Sequence, residues 1–77
     1  MAYIDVEVGR RIRERREELG WSREKLAEQL DISPSDISDY EEGLLRPDGL
    51  MLVRIAAVTD RPPSYFFQRR LDAPPSC

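Results

Sequence analysis

Histidine is absent from this chain of 77 residues, and cysteine occurs once, at the last position, Cys77. No internal disulfide can form, and no paired cysteines or Cys/His cluster is present to hold zinc. A glycine-rich phosphate loop is missing too, as is a nucleophile with a base beside it. Metal ions, cofactors and catalysis are therefore not expected, and the chain reads as a non-enzyme. No apolar run approaches the ~18 residues that span a bilayer, and no basic-then-apolar leader opens the sequence. With disulfides excluded, a reducing cytoplasmic setting is expected. Alternating β-branched and aromatic runs are also lacking, so strands are not expected and the chain reads as all-α. Cys77 reads as a bystander, with a redox switch as the alternative.

One further absence is local. The net charge is −3, yet residues 1–20 balance five arginines against five acids, and residues 21–30 and 44–60 balance two against two. Residues 31–43 hold five acids and no basic residue, while residues 61–77 hold three arginines against one acid. The negative excess thus belongs to one segment rather than to the whole chain. Overall acidity argues only weakly against a nucleic-acid partner, but a local acidic run must be explained residue by residue.

That segment lies inside the stretch on which the chain is organised, residues 21–43, WSREKLAEQLDISPSDISDYEEG. Ahead of it, Ile4, Val8, Ile12 and Leu19 form the apolar stripe of an amphipathic helix, with Asp5 as its expected N-cap. Arg10, Arg11, Arg13, Arg15 and Arg16 alternate with Glu14, Glu17 and Glu18. Apart from Arg16, these read as a solvated face with i,i+4 pairs such as Arg10–Glu14 and Arg13–Glu17, each worth ~0.2–0.5 kcal/mol. Gly20 ends the helix in the left-handed region. Ser22 caps a second helix over 23–30, in which Leu26, Ala27 and Leu30 point inward and the small Ala27 permits a close crossing. Asp31 takes the bend, since Asp tolerates positive φ better than most residues. Ser33 caps a third helix with Pro34 at its first position, and Asp36 is placed to return the capping bond. Ile37 and Tyr40 face inward, and Gly43 stops the helix.

A fourth helix is expected from Asp48 or Gly49 through Val58, apolar on nearly all sides and therefore the buried centre of the domain. Pro63 and Ser64 start a short fifth helix. Its Tyr65, Phe66 and Phe67 either close the core or supply a dimer contact. The expected domain covers residues 1–68, and residues 69–77, RRLDAPPSC, form a Pro-rich tail.

These residues carry a resemblance. The run VGRRIRERREELGWSREKLAEQLDISPSDISDYEEG, then RP, a helix and a terminal SYFF, resembles the Cro/phage-repressor-type (XRE-like) helix-turn-helix transcription regulators. The resemblance covers residues 6–67 and implies a compact five-helix, lambda-repressor-like domain that binds double-stranded DNA as a homodimer. The third helix, residues 33–42, would then enter the major groove, with the helices of two protomers one DNA turn apart, ~34 Å, on a pseudo-palindromic operator. Matching base-contacting positions are Ser33, Pro34, Ser35, Ser38 and Asp39, with Glu42 at the periphery. Matching phosphate-contacting positions are Ser22, Arg23 and Arg46. The family also pairs an arginine of the first helix with a glutamate near the end of the third, here Arg16 and Glu41; two separately solvated charges are the alternative.

Departures from the pattern narrow the reading. Where relatives often carry Gln or Lys this chain has Arg23 and Asp39, and where they carry glycine it has Asp31. Amide side chains read adenine bidentately, whereas this helix offers hydroxyls, a proline and an acid. Asp39 can accept from cytosine N4, or stand as a solvated, repelling charge. Two functions remain open at this level. One is a DNA-binding regulator; the other is an antitoxin-type interaction module of the same fold whose acidic third helix meets a basic protein partner.

Overall fold

In the computed structural model the backbone is described for residues 3–67 and the side chains for residues 6–67. Four α-helices and a 3-10 turn follow in order: α1 (Tyr3–Glu18), α2 (Arg23–Leu30), α3 (Pro34–Glu41), α4 (Gly49–Val58) and the turn Pro63–Phe67. No strand occurs among the described residues. The described residues are all-α, as expected, but the expected fifth helix is a 3-10 turn. Pro62 stands ahead of it and Pro63 opens its five residues, Pro63–Phe67, which are too few to propagate an α-helix. The tail 69–77, Cys77 and the domain limit at residue 68 lie outside the described residues.

Local signals account for the helix ends. Ser22 Oγ accepts from the Lys25 amide at 3.0 Å, Ser33 Oγ from the Asp36 amide at 3.3 Å, and Asp48 Oδ1 from the Met51 amide at 2.7 Å. Asp31 adopts φ 59°, so an acid does take the left-handed position between α2 and α3. Only the forward half of the α3 capping box forms; the Asp36 side chain is one methylene shorter than the Glu or Gln that usually closes it. Asp5 is not an N-cap: α1 begins at Tyr3 and carries Asp5 within it.

The core gathers Val8 and Ile12 of α1 and Leu26, Ala27 and Leu30 of α2. Ile37 and Tyr40 of α3, Leu52, Ile55 and Ala56 of α4, and Phe66 complete it. Each large apolar side chain so buried contributes about 1.5–3 kcal/mol. The 3-10 turn packs on α1 and α4, and α3 packs on α1 and α2. Of the three aromatics, Phe66 is fully buried, Tyr65 meets it edge-on and lies under the guanidinium groups of Arg11 and Arg61, and Phe67 faces out.

α4 is not buried all round: Leu50 is 72% and Val53 51% exposed, because α2 and the 3-10 turn cover only one side of it. Nor is the arginine set of α1 wholly solvated apart from Arg16. Arg10–Glu14 and Arg13–Glu17 do pair on the surface at 2.6 and 3.1 Å, but Arg15 is buried and its Nε donates to the Thr59 carbonyl at 2.8 Å. That carbonyl lies at the C-terminal end of α4, where the helix leaves acceptors without intrahelical donors.

Candidate nucleic-acid interface

The helix-turn-helix consists of α2, the bend at Asp31 and Ile32, and α3. Ile32 donates its amide to the Ala27 carbonyl at 3.1 Å and packs partly buried against the core, which sets the direction in which α3 leaves the bend. Ile37 and Tyr40 anchor one side of α3. On the other side Ser33, Pro34 and Ser35 are exposed, and Ser38 and Asp39 are half-buried. The Ser33 and Ser35 hydroxyls lie 3.2 Å apart, and Ser38 Oγ donates to Glu42 at 3.4 Å. The positions matched to base contacts therefore share the open start and outer flank of one short helix. Arg46 is exposed in the loop that follows α3.

The acidic segment is resolved into separate roles. Asp31 occupies the bend and Asp36 the first turn of α3, where a negative charge meets the positive end of the helix dipole. The Glu41 side chain is 1% exposed and accepts three N–H bonds. Arg16 reaches it through Nε at 2.6 Å and Nη2 at 3.2 Å, and Arg23 through Nε at 3.1 Å. Arg16 spends its remaining nitrogen on the Trp21 carbonyl at 2.8 Å. Hydrogen bonding to Glu41 holds the Arg16 pKa above its ordinary value against the opposing effect of burial. Glu41 is therefore removed from the exposed surface, leaving Asp39 and the C-cap Glu42 as the acids on the outer flank of α3.

Nothing in the local sequence signals the Arg23–Glu41 bond: its members lie 18 residues apart, and only the crossing of α2 over α3 brings the two together. The sequence pattern assigns Gly9 no role. A Cβ added there would run into the Tyr40 carbonyl and lie 2.8 Å from that of Glu41, so glycine lets α1 touch the backbone end of α3. Arg54 ties α4 to α2 by donating to the Leu30 carbonyl at 2.8 Å.

Comparison with known proteins agrees with this geometry. A family model described as helix-turn-helix matches residues 12–66. The chain belongs to this Cro-type helix-turn-helix family of transcriptional regulators. An uncharacterized HTH-type transcriptional regulator of Sinorhizobium medicae is 45% identical over 71 residues, 92% of this chain and 49% of that protein. The chain thus spans about half the length of the curated relatives it matches. Among solved structures, the restriction-modification controller protein C.AhdI from Aeromonas hydrophila superposes with a TM-score of 0.77 at 29% identity, covering 80% of this chain and 94% of that one. The P22 c2 repressor protein, solved in complex with synthetic operator 9T, gives a TM-score of 0.74 at 28% identity over 79% of this chain and 92% of that one.

Proposed function

We propose that this domain is the DNA-reading part of a sequence-specific transcriptional regulator in the cytoplasm. It binds a pseudo-palindromic operator as a homodimer, with residues 33–42 in the major groove. The observation that carries the reading is the open start of α3, where Ser33, Pro34 and Ser35 stand exposed on a helix anchored from behind by Ile37 and Tyr40. Base edges would be read by the hydroxyls of Ser33, Ser35 and Ser38, by apolar contact with Pro34 and by Asp39 accepting from cytosine N4. Ser22 and Arg23 at the start of α2, and Arg46 beyond α3, would hold phosphates. The similar P22 c2 repressor, seen with an operator, supports this placement. Dimer formation is supported by exposed Leu44, Leu45, Leu50, Val53 and Phe67, apolar side chains that a second copy of the chain would cover.

The test is titration of the purified protein into duplexes selected from a random pool, at low and moderate salt. Binding should show a steep negative salt slope, about −0.9 per phosphate contacted, and the selected sequences should be two-fold symmetric. A protein that ignores duplex DNA even at low salt, and co-purifies with a basic partner, would overturn this reading in favour of an interaction module. Within the bound complex, Arg23→Ala should weaken all sequences alike, whereas Ser35→Ala or Asp39→Ala should change which sequence is preferred.

A further inference from the structure

Beside the start of α2 lies a polar cleft of about 400 Å³ lined by Arg13, Arg16, Ser22, Arg23 and Glu24. Its charge alone does not make it a phosphate seat. Arg13, Arg16 and Arg23 are offset by Glu17, which lies against Arg13 and Arg16, by Glu24 in the lining, and by Glu41 beneath. What distinguishes the arginines is how many of their N–H groups are already used. All three Arg16 nitrogens are engaged, by Glu41 and by the Trp21 carbonyl, and its side chain is 10% exposed. Arg13 is surface-paired with Glu17. Arg23 is 38% exposed and held by Nε alone, so among the described residues both its Nη groups are without a hydrogen-bond partner.

We infer that Glu41 is a positioning residue for DNA binding: it grips Arg23 through Nε and aims the two Nη groups at a DNA phosphate over the start of α2. The inference rests on the proposed DNA binding. One carboxylate then serves two arginines with different duties, Arg16 locking α1 to α3 and Arg23 meeting the ligand. Pinning the guanidinium removes its rotamer freedom on folding rather than on binding, so association loses less entropy. The planar fork is essential to this arrangement, because a guanidinium can face a carboxylate with one edge and a phosphate with another. A lysine ammonium in its place would have to share a single nitrogen between the two anions.

The experiment measures affinity for one selected duplex, its salt slope and the melting temperature for wild type, Arg23→Lys, Glu41→Gln and the Arg23→Ala/Glu41→Gln pair with its single Arg23→Ala parent. Arg23→Lys keeps the charge and leaves the Arg16–Glu41 pair in place. It should bind about tenfold more weakly with an unchanged salt slope and melting temperature. Glu41→Gln removes a negative charge, so a purely electrostatic role predicts tighter binding; positioning predicts weaker binding by the folded protein, and no such loss once Arg23 is already alanine. Where Glu41→Gln does not fold, Arg23→Lys decides. Wild type that binds duplex DNA together with an Arg23→Lys variant of equal affinity overturns the inference while DNA binding stands. Wild type that does not bind at low salt overturns DNA binding itself and the inference with it.

Discussion

At its start α3 presents three small, uncharged residues to solvent, Ser33, Pro34 and Ser35; at its end it sinks the carboxylate of Glu41 beneath two arginines. Both ends are polar, yet they sit in opposite environments. The first is exposed, so substitution there should cost no more than the Ser33 cap it holds. The second holds an ionised group in a place where it must be paired or cost several kcal/mol. A segment with five acids and no base can therefore belong to a DNA-facing unit, because its charge is divided between a buried lock and an outer surface.

The largest test of this contrast is Glu41→Ala. It leaves Arg16 buried without its carboxylate, and removing one partner of a buried pair destabilises by about 3–5 kcal/mol. For a domain of this size each kcal/mol moves the melting temperature by about 4–8 °C, so calorimetry should find the variant largely unfolded at moderate temperature. A shift of only a few degrees would mean that the two ends of α3 differ less than their burial implies.

Next in size is Gly9→Ala, which probes the same end from the other helix. The new methyl meets backbone carbonyls of Tyr40 and Glu41 rather than flexible side-chain tips, so relief requires α1 to move away from α3. Overpacking of this kind costs about 1–3 kcal/mol and occasionally more. Urea unfolding should show a lower midpoint at an unchanged slope. Stability equal to wild type would place the α1–α3 crossing further apart than it stands.

At the open end the effects are smaller. Ser33→Ala removes the hydroxyl that accepts from the Asp36 amide and should cost about 1 kcal/mol. Ser35→Ala, whose hydroxyl meets that of Ser33, should stay within about 0.5 kcal/mol in the same measurement. If Ser35→Ala proves the more damaging of the two, α3 is not capped as described.

What could be read from the sequence follows the same division. Ser22, Asp31, Ser33, Gly43 and Asp48 mark helix ends through bonds or dihedrals within a few residues, so their roles are visible in a short window. The Arg16–Glu41 pair became legible only through the family pattern, because 25 residues separate its members. Arg15 and Gly9 carried no local signal: the one matters because the α4 carbonyl end arrives beside it, the other because the α3 backbone does. The covered face of α4 is hidden for a related reason. Its sequence is apolar on nearly every side, so the covered face is chosen by its neighbours and cannot be told from periodicity. Among the candidate interface residues, helix and cap positions were legible, but the third bond to Glu41 needed the angle at which α2 crosses α3.

The smallest effect lies one residue before Glu41. Burial, reinforced by the nearby carboxylates of Asp36 and Asp48, pushes the Tyr40 pKa above the ordinary tyrosine value. The raised folded pKa fixes the sign: the unfolded chain ionises first, at about pH 10. Stability from this group is therefore complete below about pH 10 and is lost as pH rises through the folded pKa. Arg16, also raised, follows the same rule, but an arginine starts from a higher value and loses its contribution at higher pH than Tyr40 does. Chemical unfolding should thus show a plateau up to about pH 10 and a decline beyond it, and Tyr40→Phe should flatten the first part of that decline. The same decline in Tyr40→Phe would assign it to other groups and remove the phenol from the account of this buried end.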